Sequence, residues 1–387
     1  MSAAQSAGTD QQHAGPQTTQ GTTYASAGVD VEAGDRAVEL MKAAVSATHT
    51  RQVVGGVGGF AGLFDVSVLK DYRRPLLATS TDGVGTKVAI AQAMDIHHTI
   101  GFDLVGMVVD DIVVCGAKPL VMTDYIACGH VVPERIADIV RGIAEACQQA
   151  RVALVGGETA EHPGLLGVDD YDVAGAATGV VEADRLLGPD RVQPGDVVLG
   201  IESSGLHSNG FSLVRRIIAD AGWALDREVA EFGRTLGEEL LEPTRVYSAD
   251  LLDLIEDHEM VVGGISGVHS ISHITGGGLS ANVARVLPQG VVAKLDRSSW
   301  TVPGVFQVLA ELGGVPQQDQ DRTWNLGVGM VAVLHPDVVD IARRLLTSRN
   351  LGSWVLGEIV PDDGSLQTAS GYVQGSKGVD GGAALLA

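Results

Sequence analysis

The apolar positions of this chain recur with two periods, and the period switches repeatedly along its length. From Val31 to Val45 the spacing is helical, with Val38, Met41 and Val45 on one face. Pro75 to Ala78 is a short apolar run that reads as a strand, followed by a turn and a helical pattern from about Val88. Next come an apolar helix over Ile100–Cys115, a strand over Leu120–Ile126, a helix over Pro133–Gln149, a short strand at Ala153–Val155 and another at Tyr171–Val181. The polar, turn-rich stretch 188–196 breaks the series. A second unit then opens with a strand at Val197–Ile201, carries helical signals at Phe211–Ala219 and Pro243–Ile255, and ends near Val360. Alternation of this kind predicts an α/β fold. Few of the connections fit right-handed βαβ units, so the sheets are expected to be mixed, of the α+β type. The small and polar residues of 1–22 predict a disordered tail, and those of 363–387 a flexible one. That leaves 23–183 and 184–362 as two domains, a division that suits 387 residues.

Composition narrows the function. Aromatic residues make up 4% of the chain and the formal net charge is −22, which argues against a nucleic-acid partner or an anionic membrane surface. Neither property excludes a small anionic substrate, because nearby cations and N–H groups outweigh charge that lies beyond a Debye length of about 8 Å. No apolar run reaches the roughly 18 residues of a membrane span, since Leu104–Val114 is broken by Asp110 and Asp111. The polar N-terminal stretch has no apolar core of a secretory signal. Cys115, Cys128 and Cys147 show no paired spacing and read as buried thiols of a cytoplasmic protein.

Candidate chemistry sits in the glycine turns. In "ATSTDGVGTKVAI" a strand runs into Asp82, Gly83, Gly85, Thr86 and Lys87, then a helix. Free N–H groups at a helix start favour phosphate, and Asp82 would repel it unless a divalent cation lay between them. The lysine does not directly follow the last glycine, so this is not a Walker A loop. "VGGETAE" repeats the design with Glu158 and Thr159. Asp103, Asp110 and Asp111 interrupt an apolar helix, where carboxylates are costly unless paired or metal-bound. Asp103 and Asp110, seven apart, share a face. Gly55–Phe60 contains a weak dinucleotide-type spacing through Gly56, Gly58 and Ala61, but lacks a proper preceding strand; a glycine flap over a ligand fits better. "SSGLHSNGF" crowds Ser203, Ser204, His207 and Asn209 at a helix start, suited to a phosphate or an oxyanion with His207 as donor. "ITGGGL" is a further anion cradle, while the glycines of "RTWNLGVGM" remain open between a core strand and a site.

Taken in order, "YASAGVDVEAGDRAVELMK", "GGVGGFAGLFD", "TDGVGTKVAIAQAM", "GFDLVGMVVDDIVVCGAKPL", "VGGETAEHPG", "DYDVAGAATGVV", "SSGLHSNGFSLVR", "EPTRVY", "HITGGGLSANVARVLP" and "RTWNLGVGMVAV" resemble the phosphoribosylformylglycinamidine cyclo-ligase (AIR synthetase) family over residues 22–360. The resemblance implies two α/β domains and a homodimer whose N-terminal mixed sheets close into a barrel near the ATP site. It also implies ATP- and Mg²⁺-dependent closure of formylglycinamidine ribonucleotide to aminoimidazole ribonucleotide, with ADP and phosphate released. On the matching positions, Asp82, Asp111 and Glu158 are implied near Mg-ATP. Lys87 and Gly55, Gly56, Gly58 and Gly59 are implied at the phosphates, and Lys42 near the nucleotide. His207 is implied at the reacting group, with Ser203, Ser204 and Asn209 at a substrate phosphate.

The chain departs from the usual pattern at several points. Asp110 stands where Asn is common, His162 where Met is common, Lys118 where an acid is usual, and Ser270 where Gly is common; Cys128-Gly-His130 replaces Thr-Gly-Lys. Selenophosphate synthetase would need a reactive cysteine in the first glycine loop, and HypE a cysteine at the end of the chain; neither is present. A non-catalytic nucleotide-binding protein is the alternative of another class, and retention of Asp82, Lys87, Asp111, Glu158 and His207 speaks against it.

Overall fold

The computed structural model describes residues 28–378 and 381–387, so the tail expected at 1–22 lies outside the described residues. In chain order the first unit contains α1 (Val31–Ala47), β1 (Pro75–Gly83), α2 (Val88–Met94), α3 (Thr99–Val113), β2 (Lys118–Cys128), α4 (Pro133–Gln149), β3 (Ala153–Glu161) and β4 (Tyr171–Glu182). Its strands form one mixed sheet in the order β1-β4-β2-β3, parallel only between β2 and β3, which α4 connects. The second unit contains β5 (Val197–Glu202), α5 (Phe211–Asp220), α6 (Ser248–Glu256), β6 (Val268–His273), α7 (Gly278–Arg285), β7 (Val291–Leu295), α8 (Gly304–Gly313), β8 (Val328–Leu334), α9 (Val339–Ser348), β9 (Ser353–Pro361), β10 (Tyr372–Gln374) and β11 (Ala383–Leu386). Seven of these strands make a second mixed sheet, β6-β8-β5-β9-β7-β11-β10.

Local chemistry explains the element ends. Asp30 caps α1 by accepting the Ala33 N–H at 3.0 Å, and Pro133 opens α4 where no N–H is needed. The buried face of α1 carries Ala37 and Val45, with Met41 and Ala44 beside them; Val38, expected on that face, is 38% exposed. Helix α3 is apolar nearly all round and is accordingly buried, between the first sheet and the second unit. It crosses α4 at two glycines. A Cβ on Gly142 would lie 1.8 Å from the His98 carbonyl oxygen, and one on Gly101 would lie 2.0 Å from the Ile143 nitrogen, so only glycine permits this approach.

Four segments differ from expectation. β1 does not stop at Ala78 but pairs with β4 as far as Gly83, and β3 continues through Gly156 and Gly157 to Glu161. The helix expected over Pro243–Ile255 begins only at Ser248, because buried carboxylates of α3 bind the N–H groups of Thr244 and Tyr247 and keep that segment out of the helix. The tail expected to be flexible after residue 362 instead supplies β10 and β11. The closing apolar run Ala383–Leu386 is buried and pairs in parallel with β7, whose backbone would otherwise be a bare sheet edge. Residues 364–371 and 377–378, on either side of β10, form turns and bends.

Candidate active site

Helix α3 joins the two units. Lys87, in the turn between β1 and α2, is fully buried. Its Nζ donates to Asp103 Oδ1 at 2.7 Å, to the His207 carbonyl at 3.1 Å and to the Glu242 carbonyl at 2.7 Å. Asp103 also accepts the Thr244 N–H (2.9 Å) and Oγ1–H (2.6 Å). Burial pushes the Lys87 ammonium below its ordinary value and Asp103 above its own, and each charge opposes the other's shift. One heptad on, Asp110 accepts the Tyr247 N–H at 3.1 Å and the Ser248 hydroxyl at 2.5 Å; burial raises it to about 6, against the pull of His273 and these donors. The shared face of Asp103 and Asp110 therefore binds the segment 244–248. These contacts engage all three Lys87 Nζ protons and both Asp110 oxygens, while Asp103 Oδ2 is buried without a partner among the described residues. Placing Lys87 at a phosphate would require it to exchange one of these three hydrogen bonds.

Asp111, one residue further round α3, has a different setting. Its side chain is 40% exposed, and Oδ1 accepts from His273 Nδ1 at 2.9 Å. His273 is the last residue of β6 and is itself 3% exposed. Burial alone would lower its pKa, but the Asp111 hydrogen bond and charge, with Asp110 and Asp82 nearby, hold the imidazole above its ordinary value. Asp82 lies close enough that the Asp111 charge adds to burial in raising it, with the Gly83 N–H opposing.

His207 completes this centre. It has a left-handed backbone (φ 58°), and its ring lies 6.0 Å from that of Tyr247. Nε2 accepts the Ser204 N–H at 3.2 Å, which leaves the ring proton on Nδ1, a buried donor with no partner among the described residues. Burial, then His273, Lys87 and Arg245, push its pKa well below the ordinary value. The charged ring is thus disfavoured, and of the roles expected for His207 a neutral ring can serve through its Nδ1–H. Gly329 makes room for it: a Cβ there would lie 2.0 Å from the Tyr247 hydroxyl and 3.0 Å from His207 Cε1. The hydroxyls of Ser203 and Ser204 donate to the carbonyls of Gly205 (2.9 Å) and Pro243 (2.6 Å), and so brace the His207 loop. Asn209 reaches Met107 Sδ at 3.6 Å, and a Cβ on Gly276 would lie 3.4 Å from Asn209 Oδ1, so the loop adjoins the Thr275–Gly278 turn. Thr86 Oγ1 lies 3.1 Å from Ser212 Oγ, which ties the Gly83–Gly85 turn to the start of α5.

The other expected residues lie elsewhere. In the register Asp82↔Gly175↔Asp124↔Gly157, Asp82 belongs to the α3 side of the sheet, whereas Glu158 pairs with Tyr125 on the open side. Strand order also places β3 three spacings from β1, about 14 Å at ~4.8 Å each. Glu158 therefore does not meet Asp82 and Asp111 in one chain, and among the described residues no three acidic, His or Cys side chains form a metal cluster. Glu158 Oε1 instead accepts the Thr159 N–H at 3.0 Å. Gly55, Gly56, Gly58 and Gly59 form an open loop seated next to β3, where a Cβ on Gly62 would lie 2.4 Å from the Val155 carbonyl oxygen. Lys42 is on the outer side of α1, 3.7 Å from Glu39. A cavity of about 950 Å³ between the units, lined by Tyr72, Lys118, Arg185 and Ile265 among others, shares no residue with either group.

His273 was missed in the sequence. The available signal was its position, an ionisable residue at a strand end before a glycine turn, the same design as Asp82. No helix among the described residues is long and apolar enough to cross a membrane.

Comparison with known proteins agrees with this architecture. The profile for AIR synthase related protein, N-terminal domain, matches residues 65–181, and that for the C-terminal domain matches residues 193–368. Phosphoribosylformylglycinamidine cyclo-ligase of Desulfitobacterium hafniense (strain DSM 10664 / DCB-2) is 47% identical over 88% of this chain and 97% of its own. Among solved structures, thiamine-monophosphate kinase from Stenotrophomonas maltophilia K279a superposes with a TM-score of 0.61 at 18% identity, covering 89% of this chain and 95% of that one. The hydrogenase maturation protein HypE in complex with ATP gives 0.60 at 17%, covering 92% and 94%. With both domains matched and nearly the whole length shared, this chain is an enzyme of the phosphoribosylformylglycinamidine cyclo-ligase family.

Proposed function

We propose that the enzyme closes formylglycinamidine ribonucleotide to aminoimidazole ribonucleotide at the expense of ATP. The observation that carries this reading is the meeting of Asp82 and Asp111 with the paired His273 and the neutral His207 at one interdomain centre, in a chain of this family. The formyl oxygen takes the γ-phosphoryl group and ADP leaves. The amidine nitrogen of the same molecule then attacks the activated carbon, a C–N bond forms, the C–O bond breaks, and phosphate departs with the former formyl oxygen. The nitrogen gives its proton to solvent. Both reacting groups belong to one substrate, so the protein's part is orientation and charge placement.

Two neighbouring carboxylates, one of them raised first by burial and further by the other's charge, suit a divalent cation such as Mg²⁺, which commonly takes one or two carboxylates and fills its shell with phosphate oxygens and water. Bound there, it would neutralise phosphate charge during transfer. Asp82 and Asp111 would hold it. His207 would donate Nδ1–H to an oxygen at the reacting carbon or phosphorus, its tautomer set by the Ser204 N–H.

The glycine loop and Glu158 are assigned to a homodimer, in which the open side of the first sheet faces a second copy and the two groups of residues are completed across the interface. Leu77 (66% exposed) and Tyr125 (41% exposed) on that side support the assignment. A reducing cytoplasm suits the three unpaired thiols. The test is to assay ADP and aminoimidazole ribonucleotide in one tube, with and without formylglycinamidine ribonucleotide. Equal amounts of both, only with substrate, support the reading; ATP binding without aminoimidazole refutes it.

A further inference from the structure

His273 holds two polar atoms in one small buried ring. Nδ1 lies 2.9 Å from Asp111 Oδ1, and Nε2 is buried without a hydrogen-bond partner among the described residues. The ring is fixed on its own side by β6, where His273 pairs with Met330 of β8, and by the Ile274 N–H, which donates to the Gly329 carbonyl at 3.0 Å. Gly329 is also the residue that makes room for His207 and Tyr247. One short piece of backbone thus sets both imidazoles.

Asp111 is the less constrained partner. Its carboxylate is partly exposed, and the Nδ1 contact is its only side-chain hydrogen bond among the described residues. Left free, such a carboxylate would rotate and would lose that freedom on taking a cation. With Oδ1 held, Oδ2 has one direction.

We propose that His273 is a positioning residue for Asp111, its Nδ1–H fixing one carboxylate oxygen so that the other is presented to a divalent cation, while its unpartnered Nε2 is a contact for the phosphate-bearing ligand that arrives with the cation. This deepens the reading above and rests on its placement of the cation at Asp111. A buried, unpartnered ring nitrogen carries a desolvation cost that a ligand hydrogen bond removes. Hydrogen-bond partners of metal ligands are commonly worth 10- to 100-fold in metal affinity.

The two ring nitrogens can be tested separately. In His273→Asn the carboxamide can donate from the Nδ1 position but has nothing at Nε2; His273→Ala has neither. Free Mn²⁺ is followed by electron paramagnetic resonance in the full-length protein with ATP, and ATP affinity is measured at saturating Mn²⁺. The expected result is an Mn²⁺ half-saturation at least about tenfold higher in His273→Ala and within about threefold of wild type in His273→Asn. ATP should bind more weakly to His273→Asn at saturating Mn²⁺. Unchanged Mn²⁺ affinity in His273→Ala overturns the proposal, as does an equal loss in a His273→Asn protein that melts like wild type. Wild-type ATP affinity in His273→Asn overturns the assignment of Nε2. None of these readouts needs turnover. A wild-type protein that shows the expected Mn²⁺ pattern but forms no aminoimidazole refutes the cyclo-ligase reading and leaves the role of His273 standing.

Discussion

Replacing Lys87 with methionine separates two roles for this residue. Methionine fills much of the same space, so the loss is electrostatic. Nζ makes three hydrogen bonds, to Asp103 Oδ1 and to the carbonyls of His207 and Glu242, and both partners of the ion pair are fully buried. In the variant Asp103 keeps its two bonds from Thr244 but carries a buried charge with no counter-charge. Removing one partner of a buried pair costs about 3–5 kcal/mol, or roughly a 150- to 4,000-fold drop in the folded-to-unfolded ratio. The two carbonyls left without a donor add to this. Urea unfolding should therefore show a large fall in midpoint, while the ATP concentration for half-saturation of the folded protein changes little. Adding Asp103→Asn, which removes the stranded charge and keeps an acceptor for Thr244, should recover a substantial part of the loss. A Lys87→Met protein that unfolds at the wild-type midpoint and loses only ATP affinity would refute the argument and return Lys87 to the phosphates.

Three further outcomes follow from the same centre and from the chain end. Asp110 titrates near 6 when folded and at 3.8 when unfolded, so between those values the native state holds a proton the unfolded chain has released, and stability from this group falls as pH rises through that window. Asp110→Asn should thus stabilise the protein by up to about 3 kcal/mol at pH 8, with the gain fading toward pH 4, as urea midpoints at the two pH values would read. His207 has the opposite sign: its folded pKa lies below the unfolded 6.5, so its contribution is full above pH 6.5 and is lost as pH falls. His207→Asn, whose side chain tolerates the left-handed backbone, should lessen that acid-side loss in unfolding measurements and lower kcat by about 100-fold or more. Truncation after Gly378 deletes β11 and uncovers β7. Burial of Leu385 and Leu386 alone is worth roughly 3–6 kcal/mol, so the truncated chain should unfold at lower urea and be cut faster by protease.

Much of the fold could be read from periodicity. Helix α4 and strand β4 fall close to the apolar patterns that predict them, because each buries one continuous face or run of its own residues. The Pro243–Tyr247 segment could not be read in this way. Its sequence is compatible with a helix, and what keeps it out of one is a pair of carboxylates about 140 positions away. The end of the chain misled for a related reason: composition dominated by Gly, Ser and Asp hid four apolar residues that an open sheet edge captures.

For the site, residue type was easier to read than partnership. Asp82 and Asp111 lie within charge range of His273, and His273 within that of His207. Asp103, Asp110 and Lys87 look equally chemical in sequence, yet in the structure Lys87 pairs with Asp103 and both acids bind the segment 244–248 across the domain junction. A carboxylate in an apolar helix must be compensated; the sequence does not say whether by a cation or by backbone N–H groups. Glu158 repeats the strand-glycine-acid pattern of Asp82 but emerges on the opposite side of the sheet, a consequence of register that no local pattern contains. His273 stood in plain view before its glycine turn and acquires meaning only beside Asp111.

The central claim is that the formyl oxygen of the substrate is the phosphoryl acceptor. Formylglycinamidine ribonucleotide labelled with ¹⁸O at the formyl group, turned over with unlabelled ATP, tests it directly by mass spectrometry of the released phosphate. The account predicts one ¹⁸O in each phosphate formed, in step with aminoimidazole and ADP. Phosphate without label, with the ¹⁸O in water, would mean that ring closure does not pass through phosphorylation of that oxygen and would contradict the account.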